Sequence, residues 1–134
     1  MKNKKSFLQK HKELALETKN YTLNAGRYSF QKNSEKKIFK DILEKLQIKK
    51  NDICLDIGCN VGANLLPLSK KVKHITGIDN LNVIKILENR LISKNVSLIS
   101  GNFLTYNFKK KYDKIILYSV LHAFKNKNQA YFAI

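Results

Sequence analysis

Apolar positions recur with two different periods along this chain, and each change of period marks a predicted element. Apolar residues at helical spacing predict an amphipathic helix over residues 35–47, with Ser34 as its N-cap. Three short apolar runs, at residues 53–57, 74–78 and 96–99, predict strands. The first helix needs a sheet to cover its apolar stripe, and the strands that follow can provide one.

Two more helices and a fourth strand complete the pattern. Residues 64–71 predict a short helix with Pro67 in its first turn, where the missing N–H has no intrahelical partner. Residues 81–93 carry apolar residues at helical spacing, and the apolar run from Ile115 to Val120 predicts a strand covered on both faces. Because strands alternate with helices, we predict an α/β fold with a parallel sheet.

The segment before these elements has a weaker pattern. Residues 4–20 are polar and helix-permitting with few apolar positions, and Asn24-Ala25-Gly26 interrupts them. We therefore divide the chain into an N-terminal helical segment, residues 1–30, and a domain over residues 31–134.

Polar residues and glycines follow each predicted strand. Gly58 and Gly62 come directly after the first strand, Asp79 ends the second, and Asn102 follows the third. In open parallel sheets, ligands bind at the carboxyl ends of the strands. A strand that runs into a glycine loop and then a helix is also suited to a nucleotide-like cofactor. The sequence therefore predicts a cofactor site at this edge of the sheet.

Composition limits the class of protein. The chain has 134 residues, 43% of them hydrophobic, which suits one folded domain. Its net charge of +16 suggests a polyanionic partner, but Lys and Arg exceed Asp and Glu in both halves of the sequence, and only Arg27 and Arg90 are arginines. We therefore favour a solvated basic surface over a nucleic-acid partner, and the second interpretation stays open.

The number of cysteines and the hydropathy of the chain bear on the cellular compartment. Cys54 and Cys59 are the only cysteines, so neither a disulfide framework nor a metal-ligand set is predicted. There is no apolar run of signal-peptide or membrane-span length. We expect a cytoplasmic protein with no bound metal and no membrane partner.

The segment Leu55–Gly62 resembles the first motif of class I S-adenosylmethionine-dependent methyltransferases, an acidic residue two positions before a GxGxG loop, with Asn60 at the middle glycine. The resemblance implies a Rossmann-like fold with strand order 3-2-1-4 and S-adenosylmethionine as cofactor. It also implies that Asp56 organises the loop and the methionine end of the cofactor. The cofactor-binding residues implied by this motif are Asp56, Gly58, Cys59, Asn60 and Gly62.

Further matches follow the later strands. Asp79, with its neighbour Asn80, matches the acidic position that accepts hydrogen bonds from ribose hydroxyls, although an Asp here can also be the N-cap of the next helix. Asn102 and Phe103 match the positions that contact the adenine amino group and ring, although a turn residue and a core aromatic are equally ordinary explanations.

The fourth match, Tyr112–Phe124, resembles a strand leading into a Val-Leu-His segment found in small-molecule methyltransferases. It implies a cofactor contact at Ser119 and suggests His122 as a general base, although His122 can equally be a packing residue. The segment lacks the Asn-Pro-Pro-Tyr form of enzymes that methylate nucleic-acid amino groups. The resemblance also makes Arg27 and Tyr28 candidate lid residues, for which a surface turn is the simpler explanation.

The predicted function is methyl transfer to a small molecule or sugar. The alternatives are a fragment of an NAD-dependent oxidoreductase and a basic nucleic-acid-binding module, for which Tyr106, Phe108 and Lys109–Lys111 are the main support. The resemblance implies a seven-stranded sheet, of which four strands are readable. We therefore favour a fragment, whose missing C-terminal half would complete the sheet, over a chain completed by a partner chain and over a product without activity.

Overall fold

The computed structural model describes residues 32–90, 93–118 and 120. Predictions for residues 1–30, including Arg27 and Tyr28, and for Ser119 and His122 lie outside the described residues. Within them the chain forms three helices and four strands: α1 (Lys32–Leu46), β1 (Ile53–Ile57), α2 (Leu65–Ser69), β2 (His74–Asp79), α3 (Leu81–Glu88), β3 (Val96–Ser100) and β4 (Lys114–Ile116).

The four strands form one parallel sheet in the order β3-β2-β1-β4, which confirms the predicted topology. In the register of the sheet, Asp56 lies opposite Gly77 on β2 and Ile116 on β4. The two central strands are therefore β1 and β2, and their carboxyl ends lie side by side.

Side chains alternate between the two faces of the sheet, as a strand requires. Cys54, Ile75 and Ile116 face the helices and join a buried cluster with apolar residues of α1, α2 and α3. Leu55, Ile57 and Ile78 form a second cluster on the other face. That face is covered by apolar residues of the segment that joins β3 to β4: Phe103, Phe108 and Tyr112.

Several predicted boundaries are wrong by a few residues. Helix α1 begins before Ser34, which therefore lies inside its first turn and is not the N-cap. The helix ends at Leu46, because Gln47 adopts a left-handed backbone with φ 48°. The amide N–H groups of Gln47 and Ile48 then bond back to the carbonyls of Glu44 and Leu43, the Schellman arrangement that closes a helix.

The later elements are shorter than predicted. Helix α3 stops at Glu88 rather than at residue 93, with Asn89 as its C-cap. Strand β4 has three residues, and the prediction that both of its faces are covered is wrong. Ile116 is buried on the helical face, whereas Ile115 points to the other face and is 54% exposed.

Candidate functional site

Four polar residues converge at the carboxyl ends of β1 and β2. Asp56 lies in β1, Asn60 in the loop after it, Asp79 ends β2, and Asn80 precedes α3. We call this group the carboxyl-end cluster. It contains the acidic residue of the predicted first motif and the predicted ribose-binding carboxylate, so the structure brings together residues that are 23 positions apart in the sequence.

Asp79 connects the glycine loop to helix α3. Its Oδ2 accepts a hydrogen bond from the Asn60 amide at 2.8 Å, and its Oδ1 accepts from the amide and side-chain nitrogens of Asn80 at 2.7 and 3.0 Å. The alternative role as N-cap falls to Asn80, whose Oδ1 accepts from the Val83 amide at 3.3 Å. Asp79 is therefore held in place from both sides.

The loop after β1 needs three left-handed residues. Gly58, Asn60 and Gly62 have φ values of 70°, 49° and 89°, so the loop turns with Asn, the residue other than glycine that tolerates this conformation well, at its middle position. The Asn60 side chain folds back on the loop, because its Oδ1 accepts from the Val61 amide at 2.7 Å.

Much of the loop's own hydrogen-bonding capacity is used inside the fold. The Gly58 and Cys59 amides donate to the Ile78 carbonyl at 2.9 and 3.4 Å, and the Gly62 amide donates to the Cys59 carbonyl at 3.0 Å. With the Asn60 amide on Asp79 and the Val61 amide on Asn60 Oδ1, five N–H groups of the loop are directed at the protein. The loop is therefore not the open nest of amides that binds phosphate groups.

Asp56 is buried without a partner for one of its oxygens. The residue is 2% exposed, and its Oδ2 lacks a hydrogen bond within the described structure. Burial, followed by the charge of Asp79, raises the pKa of Asp56 from 3.8 to about 7. A buried carboxyl with an open acceptor is a group that a ligand or a proton can satisfy.

Gly77, which the sequence analysis did not single out, is required by this packing. A Cβ at Gly77 would lie 2.4 Å from Leu65 Cδ1 and 2.8 Å from Cys59 Sγ, so no side chain fits between β2 and α2. A glycine inside an apolar strand often marks such a close approach. The position of Gly77 within the apolar run at residues 74–78 could therefore have indicated its role from the sequence.

Asn102 and Phe103 lie at the same edge of the sheet but make contacts of their own. Asn102 Oδ1 accepts from the Leu104 amide at 3.0 Å and forms a turn, and Phe103 packs on the cluster of Leu55, Ile57 and Ile78. The Gly101 amide donates to the Asp79 carbonyl at 2.9 Å and connects this turn to the carboxyl-end cluster. Both ordinary explanations of these residues are therefore met, and a ligand role stays a prediction.

The described residues at this edge include the carboxyl groups of Asp56 and Asp79 and the guanidinium of Arg90. The described loop residues that follow the strands, 58–64, 80, 101–107, 117, 118 and 120, contain no Lys or Arg. Arg90 reaches the loop from beyond α3, where its Nη1 donates to the Val61 carbonyl at 3.0 Å. Among the described residues, no three His, Cys, Asp or Glu side chains converge as a metal site requires.

Known methyltransferases resemble this chain in sequence. A sequence family described as a methyltransferase domain matches residues 54–133. An (S)-tetrahydroprotoberberine N-methyltransferase of Eschscholzia californica is 33% identical over 89 residues, which cover 62% of this chain and 25% of that protein. A ribosomal RNA small subunit methyltransferase A of Mesomycoplasma hyopneumoniae is 33% identical over 84 residues, which cover 62% of this chain and 32% of that protein.

The fold has similar relatives among solved structures. N-methyltransferase NodS of Bradyrhizobium japonicum, in complex with S-adenosylhomocysteine, superposes with a TM-score of 0.77 at 20% identity, covering 93% of this chain and 62% of that chain. This likeness shows a shared fold. The chain spans about a quarter to a third of the length of the two curated relatives named above. No helix in the described part of the chain has the length and apolar character that crossing a bilayer requires.

Proposed function

This chain belongs to the methyltransferase domain family, and from that premise we propose that its carboxyl-end cluster binds S-adenosylmethionine for methyl transfer to a small molecule or sugar. The observation that carries the proposal is the buried, unpartnered Oδ2 of Asp56 beside Asp79. Two neighbouring carboxyl groups, with no Lys or Arg in the described loops around them, suit a ligand that carries positive charge.

The same charges argue against the NAD alternative. A pyrophosphate carries negative charge and usually rests on free loop and helix amides. Here five loop amides are occupied inside the fold, and the charge of Asp79 would repel the phosphates. S-adenosylmethionine has a cationic sulfonium and a cationic amino group. Its charge therefore complements this site, whereas the charge of NAD does not.

We assign roles within the site as follows. Asp79 accepts a ribose hydroxyl; because three of about four acceptor positions on its carboxylate already have donors, we assign it one hydroxyl rather than both. Asp56 supports the glycine loop and the methionine end. Asn102 and Phe103 are assigned to the adenine, and Ser119 to a further cofactor contact.

The bound cofactor would supply a methyl group that an acceptor atom takes from sulfur by in-line displacement, with the neutral thioether as leaving group, so this chain's task is alignment and exclusion of water. His122 is assigned as the base that takes the acceptor's proton. We place the reaction in the cytoplasm, because Cys54 and Cys59 are free buried thiols rather than a disulfide.

The acceptor class rests on the relatives' names and on the missing Asn-Pro-Pro-Tyr motif. One curated relative is an N-methyltransferase of a tetrahydroprotoberberine, which is a small molecule. Another acts, by its name, on ribosomal RNA. The carboxyl-end cluster is acidic, so an RNA acceptor would meet repulsion there, and this favours the small-molecule class.

Calorimetric titration tests the proposal. We expect the chain to bind S-adenosylhomocysteine, to show no heat with NAD, and to lose at least about tenfold in affinity on Asp79→Ala, because a charge-assisted hydrogen bond and a loop tether disappear. Asp113→Ala is the matched control: its carboxylate also accepts from a backbone amide, that of Ile53 at 2.8 Å, but at the opposite end of the sheet. Heat with NAD alone, or equal losses in both variants, would contradict the proposal.

A further inference from the structure

Among the described residues, more than half of the lysines and arginines lie at one end of the sheet. Four described segments lead into the strands at their amino ends: residues 47–52, 70–73, 93–95 and 108–113. We call these the amino-end connectors. They contain nine lysines, all exposed, and two carboxylates. The lysines are Lys49, Lys50, Lys70, Lys71, Lys73, Lys94, Lys109, Lys110 and Lys111.

This polarity is invisible in the linear sequence. Each connector is separated from the next by a helix and a strand, so the lysines appear evenly distributed when the chain is read from end to end. In a parallel sheet all amino ends lie at the same edge, and the connectors are therefore neighbours in space. The opposite edge holds the carboxyl-end cluster, where the described loops carry no Lys or Arg of their own and the Arg90 guanidinium reaches the Val61 carbonyl from beyond α3.

Hydrogen bonds join some of the connectors, and both acidic residues of the connectors accept hydrogen bonds from backbone amides. Asp52 is buried, and its Oδ2 accepts from the Lys49 amide at 2.7 Å. Asp113 accepts from the Ile53 amide with its own Oδ2. Burial and then the charge of Lys110 lower the pKa of His74, the first residue of β2, so Lys110 of the last connector lies near enough to β2 to act on it. The Lys73 amide donates to the Asp52 carbonyl at 3.0 Å.

The shape of this surface also suits a charged chain. A shallow depression of about 380 Å³ lies between the first two connectors, with Leu43 and Ile48 as its apolar part and Lys50, Lys70 and Lys71 around them. Four strands at the usual spacing place the outer connectors roughly 14 Å apart, which spans several phosphates of a nucleic-acid strand.

We propose that the amino-end connectors form a docking surface for the phosphodiester backbone of a nucleic acid, separate from the carboxyl-end cluster. Lysine supplies compact, strongly hydrated charges that attract phosphates without reading bases, so the binding is sequence-independent.

A bilayer is the less favoured partner. The exposed large apolar side chains among the described residues are Leu81, Tyr106, Ile115 and Tyr118, and none of them lies in an amino-end connector. Interfacial membrane binding relies on such side chains to enter the lipid.

Fluorescence anisotropy with a labelled 20-nucleotide single-stranded RNA, from 50 to 300 mM NaCl and without cofactor, tests the surface. We expect affinity to fall steeply with salt. In the variant Lys70→Gln, Lys71→Gln, Lys73→Gln, the affinity at 100 mM NaCl should fall at least about tenfold, and the slope of log affinity against log salt should become shallower by about 2.

The matched control removes the same charge elsewhere. Lys36, Lys37 and Lys85 are exposed on helices, so Lys36→Gln, Lys37→Gln, Lys85→Gln should keep wild-type affinity within about twofold. Equal losses in both variants would show only a diffuse charge effect and overturn the proposal. An absence of RNA binding at 50 mM NaCl would also overturn the proposal. If the chain then binds phosphatidylserine vesicles tightly, the surface binds a bilayer instead.

Because this test contains no cofactor, its result is independent of the proposed methyl transfer. Asp79→Ala should leave RNA affinity unchanged, and an Asp79→Ala loss equal to that of the lysine variant would contradict the separation of the two surfaces.

Discussion

At the scale of single residues, Asp56 lowers the stability of the ligand-free fold but serves the proposed site. The carboxyl is buried with an unpartnered oxygen, and it lies close enough to Asp79 for that charge to add to the effect of burial. Burial of an unsatisfied polar group costs stability, so Asp56 is maintained at the expense of the ligand-free fold. Such local conflicts are expected where a residue serves binding rather than folding.

The raised pKa of Asp56 makes stability depend on pH. The folded chain keeps a proton that the unfolded chain releases between pH 4 and about 7, so the free energy of unfolding should fall as pH rises through this window. We expect Asp56→Asn, which cannot ionise, to remove up to about 4 kcal/mol of this fall. Urea unfolding from pH 4 to 8 measures it. Glu88→Gln, on the exposed face of α3, should keep the wild-type slope, whereas an unchanged slope in Asp56→Asn would refute the assignment.

The sequence identified the polar residues of the site but not their contacts. Asp79 could be found because it ends an apolar run, at a position where parallel sheets place ligands, whereas Asp56 lies inside β1 and was indicated by the family resemblance. The sequence could not show that Asn80, rather than Asp79, caps α3, since both residue types are good N-caps. The choice depends on the loop after β1, whose Asn60 amide donates to the Asp79 carboxylate.

At the scale of elements, the close approach of β2 and α2 depends on Gly77. We expect Gly77→Ala to lower the free energy of unfolding by about 1–3 kcal/mol, because the added methyl overlaps Leu65 and Cys59. Gly101→Ala is the matched control: its Cβ would meet nothing closer than Tyr106 at 3.7 Å, so it should be nearly neutral. Equal effects of the two substitutions in urea unfolding would show that this packing is looser than described.

Element boundaries were predicted less well than element types, for physical reasons. The end of α1 is set by the left-handed Gln47, a conformation that glycine and asparagine signal in a sequence and glutamine does not. The prediction for β4 assumed that a continuous apolar run is covered on both faces, but Ile115 is exposed on the face away from the helices.

At the scale of the whole molecule, the two ends of the sheet differ in chemistry. The carboxyl end has acidic and amide side chains around a glycine loop, and the amino end has nine lysines. The strand order was predictable from the alternation of strands and helices together with the family resemblance, and the structure confirms it. The charge polarity was not, because residues far apart in sequence become neighbours only when the crossovers bring every amino end to one edge.

The central claim is that the carboxyl-end cluster holds the cofactor, and amide chemical-shift mapping with S-adenosylhomocysteine tests it most directly. In a 15N-labelled chain we expect the largest shifts at Gly58, Asn60, Gly62 and Asn80, with little change at Lys70 and Lys71 in the amino-end connectors. Shifts concentrated at the amino-end connectors, or no shifts at saturating ligand, would contradict the account.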